Sequence, residues 1–151
     1  MTTNGSVAVR LPRSIEQLAA HEVMTSTFIS VSPEDSPFTA YDVITKHHVH
    51  HLPVIASDGR CVAILDAVVA IARASEKLLH GHGKLLELQD VERPLCVLAR
   101  TPLKRVAALM TTAGLDACCV VDGHGRMLGL VTARDVVAAV AGVRPRQFEM
   151  R

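Results

Sequence analysis

The chain has 151 residues, of which 49% are hydrophobic, 21% charged and only 3% aromatic, and its formal net charge is +1. This length suits one compact domain or two small halves with a core of aliphatic side chains. The near-neutral charge, the scattered basic residues and the few aromatic rings argue against nucleic-acid binding. No apolar run has the length of a membrane span or the form of a signal peptide. We therefore expect a cytoplasmic protein that contacts neither nucleic acid nor membrane.

The first half of the chain predicts an alternation of strands and helices. Residues 1–12 are polar and predict a flexible tail, and Ser14-Ile15-Glu16-Gln17 predicts a short capped helix that leads to Val23-Met24-Thr25. Extended apolar runs, apolar residues at helical spacing and a tight Asp58-Gly59 turn then predict the remaining elements. In chain order these are strand 28–31, a helix around 40–44, strands 52–55 and 61–65, and helix 67–79.

The second half predicts the same elements again. Val54 and Val120 are 66 residues apart, and so are Gly59 and Gly125. A constant offset with matched apolar positions indicates an internal duplication. The second set consists of strand 95–98, a helix around 106–110, strand 118–121, a tight turn at Asp122-Gly123, strand 127–131 and helix 133–141.

The duplication predicts an α/β (α+β) fold of two tandem β-α-β-β-α repeats packed with pseudo-two-fold symmetry. A unit of roughly 60 residues buries little surface by itself, whereas two packed units leave clefts between them that suit a ligand. The expected organisation is a first repeat over 13–74, an inter-repeat helix and linker over 75–90, a second repeat over 91–141 and a C-terminal tail over 142–151.

Three segments carry a resemblance to a known family. They are Val23-Met24-Thr25, His50-His51-Leu52-Pro53-Val54-Ile55 and Gly129-Leu130-Val131-Thr132-Ala133-Arg134-Asp135-Val136. In this order, within a repeat of constant offset, they resemble CBS (cystathionine β-synthase-type) repeats over about residues 14–141. The resemblance implies a stand-alone CBS domain pair, or Bateman module, that is not an enzyme, binds adenosine compounds between its repeats and pairs into a homodimer.

The strand-to-helix junction at Thr132 is the best candidate site. The unpaired N–H groups and positive dipole end of a helix start favour phosphate, and a Thr hydroxyl there can donate to a phosphate oxygen. Asp135 can accept from both hydroxyls of a ribose, and the resemblance supports these roles. Gly129 leaves space beside a ligand, and Arg134 is a weaker phosphate candidate because its side chain can face water. Thr-x-x-Asp before an apolar helix is also a capping box, and the two roles can coexist.

The resemblance places the rest of this site on the first repeat. Backbone groups near Thr25 and in residues 50–53 would meet the adenine edge, and Pro53 with its neighbours would cover the adenine face. His50 matches a position where the family often has a basic group facing phosphate, and an imidazole can donate there. The candidate nucleotide-binding residues are therefore Thr25, His50, His51, Leu52, Pro53, Gly129, Thr132, Arg134 and Asp135.

The symmetry-related cleft departs from this pattern. Two carboxylates there would repel a phosphate, and no ribose acceptor remains, so we expect at most one nucleotide site. Asp66, Val69 and Ala63 stand in the places of Thr132, Asp135 and Gly129, and Asp116, Ala117 and Cys119 stand in those of His50, His51 and Pro53.

Other chemistry-bearing residues are assigned no site. The four cysteines lie in apolar, strand-like contexts and predict buried free thiols. The His47–His51 cluster, with His80 and His82, suggests a metal site. However, His47 and His48 should end a helix, while His50 and His51 should enter a strand and face opposite sides of it. The alternative is that His47 and His48 are cations favoured by the helix end, and no metal is assigned. No nucleophile–base set is visible, and we expect no catalysis.

Two functions follow from these observations. The first is a non-catalytic regulatory module that senses AMP, ADP, ATP or a related adenosyl compound in the inter-repeat cleft and transmits the signal to an effector protein, with no required cofactor. The alternative is a CBS-pair interaction or dimerisation module without a ligand. Only the first predicts that adenosine compounds stabilise the protein.

Overall fold

The computed structural model of the chain describes residues 13–80 and 93–143. The predicted tail 1–12, most of the predicted linker 75–90 and most of the predicted tail 142–151 lie outside the described residues. No helix in the described part is both long and apolar enough to cross a membrane.

The described helices and strands confirm the duplicated α/β architecture. In the first repeat a 3-10 turn at Ile15–Gln17 precedes α1 (Ala20–Val23), α2 (Pro37–His47), β1 (His51–Ile55), β2 (Cys61–Asp66) and α3 (Ala67–His80). The second repeat contains β3 (Cys96–Leu98), α4 (Leu103–Ala113), β4 (Ala117–Val121), β5 (Met127–Thr132) and α5 (Ala133–Val140). Strands β1 and β2 form an antiparallel hairpin, whereas β4 pairs in parallel with β3 on one side and antiparallel with β5 on the other.

Local sequence explains the ends of the central helix in each repeat. At the start of α2 the Ser36 hydroxyl accepts a hydrogen bond from the Thr39 N–H at 3.3 Å, and Pro37 occupies the first turn, where a missing N–H costs nothing. Helix α4 ends at Gly114, whose φ of 66° is a left-handed conformation that glycine adopts without strain.

The prediction of a strand at residues 28–31 is wrong. Of residues 28–31, only Val31 pairs, in a single parallel bridge to Val54. Its N–H donates to the Pro53 carbonyl at 3.0 Å, and its carbonyl accepts from the Ile55 N–H at 2.8 Å. Pairing ends there because a turn follows at once, in which the Ser32 N–H donates to the Asp35 carboxylate at 2.8 Å.

The hairpin turns correct a second detail. Both hairpins turn through a glycine at positive φ, which is Gly59 at 85° in the first repeat and Gly125 at 79° in the second. The second turn therefore extends beyond the predicted Asp122-Gly123 pair. It is held by the Asp122 carboxylate, which accepts from the His124 N–H at 2.8 Å.

The N-terminal segment crosses to the second repeat. The predicted capped helix at 14–17 is a single turn, closed by the Gln17 N–H donating to the Ser14 carbonyl at 2.9 Å, and no side-chain cap forms. Beyond it the Ala20 N–H donates to the Thr101 carbonyl at 2.9 Å. Helix α1 consequently packs in the core of the second repeat, which Ala20 and Val23 share with residues of β3, α4, β4, β5 and α5.

The two repeats join through their hairpins. Arg60 and Arg126 form an antiparallel bridge between the hairpin tips, and the Met127 N–H donates to the Gly59 carbonyl at 3.0 Å. Behind this bridge lies a small apolar cluster shared by both repeats, which we call the seam cluster; its buried members are Cys61, Cys119 and Val121, with Ile64 and Met127 packed against them.

The cysteine prediction needs one correction. Cys61, Cys118 and Cys119 are buried free thiols as expected, but Cys96 is exposed. It begins the three-residue strand β3, which forms an edge of its sheet and leaves that position open.

Candidate functional site

The start of α5 forms a reciprocal capping box. The Asp135 carboxylate oxygen Oδ2 accepts from the Thr132 N–H at 2.8 Å and from the Thr132 hydroxyl at 3.0 Å. In return the Asp135 N–H donates to the Thr132 hydroxyl oxygen at 3.4 Å. The capping interpretation of this motif is therefore realised in the structure.

Asp135 is also the one buried charged residue among those described, with 7% of its surface exposed. Both side-chain hydrogen bonds go to Oδ2, and no described residue donates a hydrogen bond to Oδ1. A buried carboxylate with an unused oxygen can still accept hydrogen bonds from a ligand, so the cap and the ribose-binding role remain compatible.

Thr25 pairs with the second repeat. Its N–H donates to the Leu130 carbonyl at 2.9 Å, and its carbonyl accepts from the Leu130 N–H at 3.0 Å. This pairing accounts for Gly129, because a Cβ there would lie 2.6 Å from Met24 Sδ and 2.9 Å from the Thr25 carbonyl oxygen. The space that the sequence interpretation gave to a ligand beside Gly129 is thus occupied by Met24, and the close approach of the chain to itself requires the glycine.

The backbone of His50 lies at the start of α3. Its carbonyl accepts from the Ala67 N–H at 3.0 Å, at the beginning of α3, and the equivalent bond at α5 goes from the Ala133 N–H to the Asp116 carbonyl at 2.8 Å. The reason is that each repeat's central strand pairs with the strand that leads into its own closing helix. This bond places the His50 carbonyl at the start of α3, and the contact of its imidazole with a phosphate stays a prediction.

His51 begins β1, next to the start of α3. It pairs with Asp66 in the β1–β2 ladder. Burial lowers the pKa of His51 below its ordinary value, while the carboxylates of Asp66, Asp116 and Asp135 act in the opposite direction and the neighbouring His50 adds to the lowering. The imidazole therefore lies within the electrostatic influence of carboxylates at both α3 and α5.

Leu52 and Pro53 are fully buried. The Pro53 ring consequently has no free surface with which to cover an adenine in this conformation, contrary to the sequence interpretation. The Pro53 carbonyl is engaged as well, since it accepts from the Val31 N–H. Arg134 is exposed on the first turn of α5, which is the water-facing alternative weighed from the sequence.

The start of α3 has a simpler cap. The Asp66 carboxylate accepts from the Val68 N–H at 2.8 Å, and no reciprocal bond forms because Val69 has no polar side chain. Val69 is 42% exposed. The chemical difference between the two helix starts that the sequence indicates is therefore present in the structure.

Two cavities lie in the described part, one that reaches the first turn of α5 and one at the hairpin tips. One of about 350 Å³ runs between α4 and α5 and includes Asp116 and Ala133 in its lining. The other, of about 620 Å³, lies at the hairpin tips around Arg60 and Arg126. Neither is lined by Thr132 or Asp135.

The metal hypothesis gains no support from the described side chains. His47 ends α2 and His48 follows it in a left-handed conformation with φ 52°, while His51 begins β1. Among the residues that the structure describes, no group of three or more His, Cys, Asp or Glu side chains could hold a metal ion.

Comparison with known sequences finds one family. The sequence profile of the CBS domain matches twice, at residues 20–67 and 88–142. L-aspartate semialdehyde sulfurtransferase of Methanocaldococcus jannaschii is 25% identical over 122 residues, covering 80% of this chain and 23% of that protein. A CBS domain-containing protein of Dictyostelium discoideum is 24% identical over 125 residues, covering 77% of this chain and 86% of that protein. The chain spans about a quarter of the length of the first curated relatives that it matches.

Solved structures show the same fold. A CBS domain pair in complex with 5′-methylthioadenosine and S-adenosyl-L-methionine has a TM-score of 0.69 at 24% identity, covering 83% of this chain and 97% of that one. The CBS domain of a bacterial CNNM/CorC family Mg²⁺ transporter in complex with ATP has a TM-score of 0.74 at 20% identity, covering 85% and 91%. At these identities the likeness establishes the architecture of two CBS repeats.

Proposed function

The chain belongs to the CBS domain family, and from that premise we propose that it is a non-catalytic regulatory module that binds one adenosine compound at the start of α5. AMP, ADP, ATP and related adenosyl compounds form the ligand class. The observation that carries this proposal is the buried Asp135 carboxylate, which faces the cap with one oxygen and keeps the other unused.

The chemistry of the α5 start suits a ribose and its phosphate. The unused oxygen of Asp135 accepts from the ribose hydroxyls, and the positive dipole end of α5 favours the phosphate. Two structures of the same fold contain ligands of this class, ATP in one and 5′-methylthioadenosine with S-adenosyl-L-methionine in the other. These ligands support the adenosine class without selecting a phosphate count.

Charge at the α5 start sets a condition on the phosphate group. The Asp116 carbonyl accepts from the first N–H of α5. The carboxylates of Asp116 and Asp135 both raise the pKa of His51. A ligand phosphate adds further negative charge to this neighbourhood. Protonation of His51 would offset part of the repulsion, so we propose that ligands with few phosphate charges bind better than ATP.

The α3 start is proposed to be silent. It presents a carboxylate, Asp66, where α5 presents a hydroxyl, and an aliphatic side chain, Val69, where α5 presents the ribose acceptor. A single ligand per chain follows. Ligand binding at one of two pseudo-symmetric helix starts would change the packing of the repeats unequally, which an effector protein could read.

The alternative is an interaction module without a ligand, and one observation favours it. Helices α3 and α5 leave apolar side chains exposed: Val68 is 74% exposed, Val137 66% and Val140 68%. Surfaces of this kind suit contact with another protein surface, and the resemblance to CBS pairs suggests a second copy of the chain. In this case the capping box of Asp135 would serve the stability of α5 alone.

Calorimetric titration of the full chain with AMP, ADP, ATP and S-adenosyl-L-methionine distinguishes the two functions. We expect one site per chain and, at a hundredfold excess over Kd, stabilisation by about 2.7 kcal/mol. Asp135→Ala should abolish binding, and the matched variant Val69→Ala at the equivalent position of α3 should bind as the wild type does. If no adenosine compound binds at millimolar concentration, or if Asp135→Ala binds with unchanged Kd, the nucleotide proposal is wrong.

A further inference from the structure

Three cysteines from three strands meet where the two repeats join. Cys61 on β2 and Cys119 on β4 belong to the seam cluster, in which Cys119 is fully buried and Cys61 is 9% exposed. Cys96 on β3 is the direct Cα partner of Cys119 in the parallel β3–β4 ladder. The duplication does not require this arrangement, because Ser30 and Pro53 stand at the equivalent positions of the first repeat.

The pairing of Cys96 with Cys119 has the geometry of a pair that can be bridged. Partnered residues on adjacent strands project to the same face of the sheet, and neighbouring strands lie about 4.7–4.9 Å apart. Disulfides join residues whose Cα atoms are about 4.4–6.8 Å apart, so the backbone need not move far. The opposite face of β4 is occupied by Cys118, which packs in the core of the second repeat.

The two thiols differ in access and in acidity. Cys96 is exposed on an edge strand, whereas Cys119 is covered. A hydrogen bond from the Cys119 thiol lowers the pKa of Cys96 to about 7, because it stabilises the Cys96 thiolate. The thiol hydrogen bonds of Cys119 with Cys61 and Cys96, together with burial, raise the pKa of Cys119.

We propose that Cys96 and Cys119 are an oxidisable thiol pair, in which a hydroperoxide converts Cys96 to a sulfenic acid and Cys119 then closes a disulfide. This site is separate from the start of α5 and does not depend on nucleotide binding. An exposed thiol that reacts and a buried neighbour that resolves is the arrangement typical of redox-responsive cysteines.

With hydrogen peroxide as the oxidant, both steps balance. The Cys96 thiolate attacks one peroxide oxygen, the O–O bond breaks, and the departing hydroxide takes a proton to become water; sulfur is oxidised by two electrons and the peroxide is reduced. The Cys119 sulfur then attacks the Cys96 sulfur. The S–S bond forms, the S–O bond breaks, and the departing hydroxide leaves as a second water with the proton from the Cys119 thiol.

The disulfide would form at the contact between the repeats. Cys119 packs against Cys61 of the first repeat, so a bond that draws its sulfur toward Cys96 changes that contact directly. Oxidation would therefore change the packing of the seam cluster.

Peroxide titration of the reduced full chain tests this proposal. After quenching, alkylation under denaturing conditions and mass spectrometry count the free thiols. We expect them to fall from four to two, with a peptide that links Cys96 to Cys119. Cys96→Ser should abolish the link, and Cys119→Ser should leave a sulfenic acid on Cys96 that dimedone traps. Cys118→Ala is the matched control, since burial raises the pKa of Cys118 to about 12 and its sulfur lies on the other face, and it should keep the link.

A second measurement needs no variant. The alkylation rate of Cys96 in the folded wild type should rise with pH around a midpoint near 7, well below the ordinary thiol value. The proposal is overturned if four thiols remain after excess peroxide, if the link involves Cys118, or if it joins Cys61 to Cys119 irrespective of Cys96.

Discussion

The starts of α3 and α5 occupy equivalent places in the two repeats and are built differently. Each follows directly on a hairpin strand, and each has its first N–H bound by the carbonyl of the residue that precedes the first strand of that hairpin. At α5 Thr132 and Asp135 satisfy each other, whereas at α3 Asp66 alone supplies a cap. The same backbone junction therefore carries a buried carboxylate in one repeat and only an exposed one in the other.

A second difference lies one strand earlier. Gly129 in β5 admits Met24 and Thr25, while its equivalent in β2, Ala63, is a fully buried residue of the first core. The N-terminal segment pairs with the second repeat alone among the described contacts. The asymmetry between the repeats thus extends from the helix start to the segment that covers the neighbouring strand.

The largest effect on stability is expected from Gly129→Ala. The new methyl group would overlap Met24 Sδ and the Thr25 carbonyl, so the Thr25–Leu130 pairing must move, and overpacking of this kind costs about 1–3 kcal/mol. Gly123→Ala is the control, because nothing lies within 4 Å of its added Cβ. Urea unfolding measures the free energy of unfolding of both variants. Equal free energies for Gly129→Ala and Gly123→Ala would show that the N-terminal segment is held loosely.

A smaller effect should separate the two helix starts themselves. Asp135→Ala removes the reciprocal cap of α5 and should lower the free energy of unfolding by about 1 kcal/mol. Val69→Ala changes a half-exposed side chain and should stay within about 0.5 kcal/mol of the wild type. Thermal unfolding without ligand measures this difference. A larger loss in Val69→Ala would mean that α3, rather than α5, depends on its first turn.

The smallest effect concerns pH and His51. Burial lowers its pKa in the folded state below the unfolded value of 6.5. Between these two pKa values the unfolded chain therefore binds more protons than the folded chain. The contribution to stability is complete above pH 6.5 and falls as the pH drops through the folded pKa. We expect His51→Gln to lose less stability than the wild type between about pH 7.5 and pH 5, and the exposed His47→Gln to behave as the wild type. Identical pH profiles for all three would exclude this role of His51.

The duplicated fold could be predicted from the sequence because its signals are local. Apolar periodicity defined the helices around 40–44 and 106–110, and the constant offset revealed the second copy. Thr132 and Asp135 could be found for the same reason, since a capping box is a pattern of four consecutive residues. The predicted strand at 28–31 failed because only Val31 has a partner before the next turn.

Tertiary structure alone decided which residues from different elements meet. The sequence could not show that the His50 carbonyl binds the first N–H of α3, since this depends on which strand pairs with the strand that leads into the helix. Nor could it show Met24 beside Gly129 or Cys96 beside Cys119, because these contacts join segments far apart in the chain. Local patterns determine the elements of this protein, and the register between distant strands determines its chemistry.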